Sequence, residues 1–145
     1  RIGDPDGTEQ VLIVIGRAAR PNEIAPAFSA FREAGAGALV VAGAPSFSSQ
    51  RPALIQLSAR HSLPAIYDLR DFVVEGGLVS YSGSFTDAYR QAGIYAGKIL
   101  RGDDPADLPV QQPTRFELVI NMRAAKLLGL TVPPAILVRA DAVIE

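Results

Sequence analysis

The sequence predicts an α/β protein with a doubly wound, mostly parallel sheet. Three observations carry that expectation. Short β-branched runs alternate with stretches whose apolar residues recur at helical spacing. The runs are continuous, as in strands buried on both faces of a parallel sheet. The links between them are short and rich in Gly, Pro and Ser, which suits strand–helix–strand units with close-packed layers.

Each element can be justified in turn. Val11–Ile15 is an unbroken apolar run and is read as the first strand. Asn22 is placed to cap the helix that follows, with Pro26 near its first turn. Ile24, Ala27, Phe28 and Phe31 give that helix one apolar stripe, and Gly35 and Gly37 stop it. Leu39–Ala42 is the second strand, and Gly43–Ser48 the loop after it. Ser48 or Ser49 should cap a helix with Pro52 in its first turn, running to about His61. Pro64–Tyr67 is the third strand, followed by a short helix over Arg70–Val74 and a break at Gly76-Gly77. Leu78–Tyr81 is the fourth. Ser84 or Thr86 caps a long helix whose stripe includes Ala88, Ala92, Tyr95 and Ile99, ending at Gly102. After a loop with Pro105, Pro109 and Pro113 come a strand at Phe116–Ile120, a helix at Arg123–Leu128 closed by Gly129, and a tail from Pro133-Pro134. No repeat at a solenoid period is present.

Composition narrows the function classes. The chain has 145 residues, 48% apolar and 20% charged, which fits one globular domain. Its 14 basic and 15 acidic residues give a net charge of −1 and form no basic stripe, which argues against a nucleic-acid or anionic-membrane partner. No apolar run approaches the roughly 20 residues of a bilayer span. There is no cysteine and one histidine, so neither a disulfide framework nor a zinc site is expected, and no other cofactor is implied. The first residue is Arg1, which reads as a processed chain or a piece of a longer protein.

In an open parallel sheet, ligands gather where strand carboxyl ends meet loops and helix starts. Three such ends carry unusual residues: Ser46 and Phe47 after the second strand, Tyr67 and Asp68 at the third, and Ser80, Tyr81 and Ser82 at the fourth. Taken together they resemble a recognition surface more than a reaction centre. Singly, each has a plainer reading: Asp68 as a helix N-cap, Tyr67 and Tyr81 as half-buried strand residues, and Gly43–Ser48 either as an ordinary loop or as a place where Gly43 and the helix capped at Ser48 hold a small anion or carboxylate by their free N–H groups. Asp68, Arg70 and Asp71 could supply an acid and a base, but His61 stands beside Arg60 near a helix end, where it reads as a surface or capping residue. No catalytic residue is assigned. Gly35 and Gly37 precede a strand, so they form no dinucleotide fingerprint.

From Leu63 onward the chain carries consecutive blocks: LPAIY, GGLVSY, KILRG, PADLPVQQP, FELVIN, and AKLLGLTVPPAILVRADAVIE. In that order they resemble the C-terminal half of ABC-transporter substrate-binding proteins of the tryptophan/tyrosine type, over residues 63–145. The resemblance implies a periplasmic-binding-protein-like fold (type I), three-layer α/β/α, with this chain a fragment of a two-lobed protein. Residues 1–75 would be a second-lobe segment, 76–115 a crossover to a first-lobe strand and helix, and 116–145 a return to the second lobe. Ser82-Gly83 replaces the Gly-Pro often seen there in the family, and Arg123–Lys126 replaces Lys-Thr-Ala-Lys.

The resemblance implies a protein that binds a small organic solute, such as an aromatic amino acid, in an interlobe cleft outside the cytoplasm. It would hand that solute to an ABC permease and catalyse nothing. Rings of Tyr67, Tyr81 or Phe47 would cover the apolar face of the solute, and Ser46, Ser80, Ser82 and Asp68 would fix its polar groups. The rivals are an α/β enzyme with Asp68 as base, and a sensory domain of a regulator. Two structural expectations follow. Leu78–Tyr81 should lie across a cleft from the earlier strands. Its unpaired edge and the uncovered stripe of the long helix should then make these residues a homodimer or swapped oligomer.

Overall fold

The computed structural model describes residues 2–3, 9–10 and 12–145. Ile2–Gly3 (β1) pairs antiparallel with Glu9–Gln10 (β2) as a separate two-stranded ladder. The main body follows in the order α1 (Pro21–Glu33), β3 (Leu39–Val41), α2 (Pro45–Ser49), α3 (Arg51–Arg60), β4 (Ala65–Tyr67) and α4 (Arg70–Val74). Then come β5 (Val79–Gly83), α5 (Phe85–Leu100), a 3-10 turn at Pro105–Asp107, β6 (Phe116–Asn121), α6 (Met122–Leu127), α7 (Pro134–Leu137) and β7 (Ala142–Ile144). One five-stranded sheet runs β3-β4-β5-β6-β7. Its pairs are parallel except for β5 with β6. The α/β, mostly parallel architecture read from the sequence is the one formed.

The core lies on one face of β3 and β4. Val41, Ala65 and Tyr67 point into a cluster closed by Ile24 and Phe28 of α1, Leu54 of α3, Leu63, and Phe72 of α4. Ile24 and Phe28 are two members of the stripe predicted for α1, with Phe31 packed against the same cluster. On the other face Val40 is 77% exposed.

Several local expectations are corrected. Leu12–Ile15 form no strand and are exposed, and Val11 lies outside the described residues. The reason is pairing. β3 is the sheet's edge and its outer side is free among the described strands, yet this run does not join it, and composition alone makes no strand. α1 is capped at Arg20, not at Asn22, with Pro21 at its start and Pro26 inside it. There the Glu23 carboxylate accepts from the backbone N–H groups of Ala19 (2.8 Å) and Arg20 (3.1 Å). Those bonds, that of Arg20 first, hold the carboxyl below its usual pKa. Ser48 and Ser49 do not cap α3. They sit in the short α2 helix, whose start is set by Pro45, and the α3 cap position is Gln50. α7 and β7 arise in what reads by sequence as a tail.

The largest correction concerns β5. It does not lie across a cleft but pairs in parallel beside β4, Ile66 with Val79 and Tyr67 with Ser80. The Gly76-Gly77 break is a tight return between α4 and β5. Gly76 adopts φ +112°, and Gly77 donates its N–H to Phe72 O at 2.7 Å. A Cβ on Gly77 would lie 2.7 Å from that carbonyl and 2.8 Å from the Tyr67 ring, so only glycine lets the chain turn this closely. β5 is therefore paired on both sides, by β4 and β6. The free-edge argument for self-association falls with that finding.

Candidate functional site

β3, β4 and β5 run parallel, so their carboxyl ends share one edge of the sheet, and the start of antiparallel β6 joins them there. At this edge β5 and β6 continue beyond their neighbours. β4 stops at the Tyr67–Ser80 pair and β7 begins at Ala142, opposite Val119, whereas the Tyr81–Leu118, Ser82–Glu117 and Gly83–Phe116 pairs continue beyond both. The ribbon closes with Ser84 N–H donating to Arg115 O at 2.9 Å. Ser84 then caps α5, accepting from the Asp87 N–H.

Alternation along a strand decides which predicted site residues reach this edge. Tyr67 faces the core. It is 2% exposed, its ring stacks on Phe72 at 4.5 Å between centroids, and its hydroxyl bonds Ser58 Oγ at 3.2 Å. Burial raises its pKa, partly offset by that bond. Ser80, its neighbour on β5, is 1% exposed. Neither side chain is presented to solvent, and both act as interior residues here. The next residue on each strand, Asp68 and Tyr81, projects the other way. Asp68 is half-buried and caps nothing: the N-cap position of α4 is Leu69. Its carboxylate lies against Gly43 in the loop after β3, where a Cβ would sit 2.5 Å from Oδ2. Tyr81 is 54% exposed and stacks on Phe116, 48% exposed, with centroids 5.5 Å apart and planes 19° apart.

Ser46 and Phe47 belong to α2. With Arg20, Pro21 and Ile24 at the start of α1 they line a shallow depression of about 130 Å³. Phe47 is half-buried against the core cluster, and Ser46 is exposed. Ser82 is half-buried and stands opposite Glu117 on the ribbon. The edge thus carries Asp68 and the Tyr81–Phe116 stack, with Ser46 and Phe47 after β3, while Ser82 follows Ser80 onto the opposite face of the ribbon.

Sequence reading missed three participants. Gly43 read as a loop residue that could help hold a small anion, and its closeness to the Asp68 carboxylate was not legible because it depends on β3 lying beside β4. Phe116 read as sheet filler, and its stacking needs the diagonal register with Tyr81. The third is Glu117, which pairs with Arg70 and ties the start of α4 to the ribbon. Opposite charges 47 residues apart give no local signal.

The edge offers aromatic surface and two carboxylates, Asp68 and the Glu117 paired with Arg70. His61 follows α3 as its C-cap and packs on Phe28 at 5.7 Å, at the amino end of the strands. Among the described residues no group of three or more acidic or histidine side chains could hold a metal ion, and no helix is long and apolar enough to cross a membrane.

The fold is that of periplasmic binding proteins. Similar solved structures include a conserved domain protein from Vibrio cholerae, 26% identical with TM-score 0.79 over 87% of this chain and 42% of that one. An ABC domain from Streptococcus pneumonia in complex with L-Trp is 28% identical, with TM-score 0.75 over 85% of this chain and 42% of that one. A ligand-free, open substrate binding protein with adhesive properties from Clostridium difficile shares the fold at 22% identity and TM-score 0.60, covering 85% of this chain and 41% of that one. The chain therefore spans about two-fifths of the length of these structures. No curated protein sequence matches. The chain belongs to the ABC transporter substrate binding protein family, whose model matches residues 10–144.

Proposed function

We propose that this chain supplies one lobe of a two-lobed, extracytoplasmic solute receptor, which binds a small organic solute and delivers it to an ABC permease. The observation that carries the proposal is the β5–β6 ribbon. It leaves the sheet at the edge where Asp68, Tyr81 and Phe116 gather, and it leads to a 16-residue helix with no buried residue. A helix of that length with exposed Tyr89, Ile94 and Leu100 suits a second lobe that covers it in the whole protein. The span 76–115 then divides in a new way: its strand stays in this lobe, and only the helix and loop belong to the other. Closing the lobes would enclose the solute over the strand ends.

An aromatic amino acid is the favoured ligand. The Tyr81–Phe116 stack offers a ring face, and the related Streptococcus protein holds L-Trp. Asp68 would meet the ammonium and Ser46 the remaining polar groups. Titration calorimetry of the full-length protein with L-tryptophan, L-tyrosine and L-phenylalanine tests this. Asp68→Ala should weaken binding about ten-fold or more, the worth of a hydrogen bond to a charged group. Tyr81→Ala should also weaken it. Turnover of a bound solute, or unchanged affinity in both variants, overturns the reading.

A further inference from the structure

We infer that the ion pair between Arg70 and Glu117 is a latch that holds the two lobes apart and so lowers the affinity for solute. The inference rests on the proposed reading of α5 as part of a second lobe that closes over the edge carrying Asp68 and Tyr81. Leu118 of the ribbon is held to the body by two hydrogen bonds. Its N–H donates to Asp141 Oδ2 at 2.8 Å, and its carbonyl accepts from the Asp141 N–H at 2.9 Å. One residue further out, Glu117 meets Arg70. Among the described hydrogen bonds and ion pairs this is the outermost one joining the ribbon to the body, since Ser84 and Arg115 beyond it bond only each other.

The two ends of the pair differ in stiffness. Arg70 opens α4, which is fixed at several points. Phe72 and Val73 are fully buried, the Val73 carbonyl accepts from Asn121 Nδ2 at 3.0 Å, and Glu75 at the helix end accepts from Arg51 at 2.8 Å. Glu117 stands instead on a ribbon two strands wide. The face on which they meet gives the latch its direction. Tyr67, Ser80 and Val119 turn to the helix-covered side of the sheet, where Phe72 of α4 stacks on Tyr67. Two residues further along their strands, Ser82 and Glu117 turn to that same side, and Tyr81 and Phe116 to the other. Flexing the ribbon toward the ring stack therefore carries Glu117 away from Arg70. Closure over a solute lying on the stack needs that motion, so the ion pair opposes it. The free energy of stretching the pair is then subtracted from that of binding. With side chains 50% and 33% exposed the pair is a weak one, so it biases the lobe orientation without locking it.

Titration calorimetry of the full-length protein with L-tryptophan at low salt tests this. The proteins compared are the wild type, Arg70→Met, Glu117→Gln and the charge-exchanged double variant Arg70→Glu with Glu117→Arg. Each single variant should bind about 1.4- to 5-fold tighter than wild type, and the exchanged pair should bind close to wild type. The gap between wild type and single variants should narrow as salt is added. An ion pair that merely supported the fold would weaken binding when removed, so tighter binding is the mark of the latch. Weaker or unchanged affinity in both single variants overturns it. A second readout needs no solute. These 145 residues hold no cysteine, so spin labels at Glu33→Cys on α1 and Leu100→Cys on α5, both exposed, can report the lobe orientation by pulsed electron spin resonance. The single variants should redistribute the label distances of the solute-free protein, and the exchanged pair should restore them. An unchanged distribution overturns the latch whether or not L-tryptophan binds. Redistributed distances in a protein that does not bind L-tryptophan overturn the aromatic ligand and keep the latch.

Discussion

α3 and α5 are both helices with apolar residues on one side, and the fold treats them oppositely. α3 spans ten residues and buries Leu54 and Ser58 against the sheet, whereas α5 spans sixteen and buries none. Position explains the contrast. α3 links two parallel strands and must return across the sheet face, which presses it onto Val41, Ala65 and Tyr67. α5 begins after the ribbon has already left the sheet, so no part of this body lies beneath it. Its few ties run to the adjoining loop, through Tyr95 Oη to Pro109 O at 2.6 Å and Gln111 Nε2 to Tyr95 Oη at 2.9 Å. Amphipathicity in a sequence therefore says that a helix will be covered, and topology says by what.

Substitutions can sharpen this contrast or break it. The largest effect is expected in the closed layer. Phe28→Ala empties a core position and should cost about 3–5 kcal/mol in urea unfolding. Leu100→Ala, at a position 87% exposed on α5, should stay within about 0.5 kcal/mol in this 145-residue chain. A cost near that of Phe28→Ala would mean that α5 is packed after all, by a second copy if light scattering shows self-association.

Next in size is Tyr67→Phe. It leaves Ser58 Oγ without its partner in the interior and should cost about 1–2 kcal/mol. It should also alter the alkaline limb of stability. The folded phenol titrates above its ordinary 10.0, so its contribution is complete below about pH 10 and lost as pH rises through the raised value. The phenylalanine variant should lack that part of the loss, as read from melting temperatures between pH 9 and 12.

The smallest effect belongs to the ribbon. Arg70 and Glu117 are both partly exposed, and a double-mutant cycle with Arg70→Met and Glu117→Gln should give a coupling of about 0.2–1 kcal/mol, fading with added salt. Hydrogen exchange complements these measurements without mutation. Amides of α5 should exchange well before those of α3, since they lack buried surroundings.

The sequence made the closed layer legible because its signals are local. β-branched runs at Leu39 and Ala65, the Ile24–Phe28 stripe and the glycine at position 35 each decide their own structure within a few residues. Three misreadings share a non-local cause. Leu12–Ile15 carry strand composition, but a strand exists only where a neighbour pairs with it. Gly76-Gly77 looked like a domain crossing because a glycine pair marks a turn without saying how tight it is. Two of the six aromatic and hydroxyl groups expected at the site, Tyr67 and Ser80, are interior, because successive strand residues face opposite sides of the sheet. Asp68 and Tyr81 were legible as strand-end residues. Their partners Gly43 and Phe116 were not, because each is supplied by another strand.

The β5–β6 ribbon also has a mechanical meaning. Resistance to in-plane bending rises steeply with the number of strands side by side, and here the count falls from five to two within a single residue step. Any load applied through α5 is therefore concentrated on the pairs between Tyr81 and Gly83. At the far end of that span Gly83 is pressed against Pro113, where a Cβ would lie 2.8 Å from the ring. The narrow part of the five-stranded sheet is thus set beside the carboxylate and the ring stack, so flexing there changes the spacing of the very groups that would meet a solute.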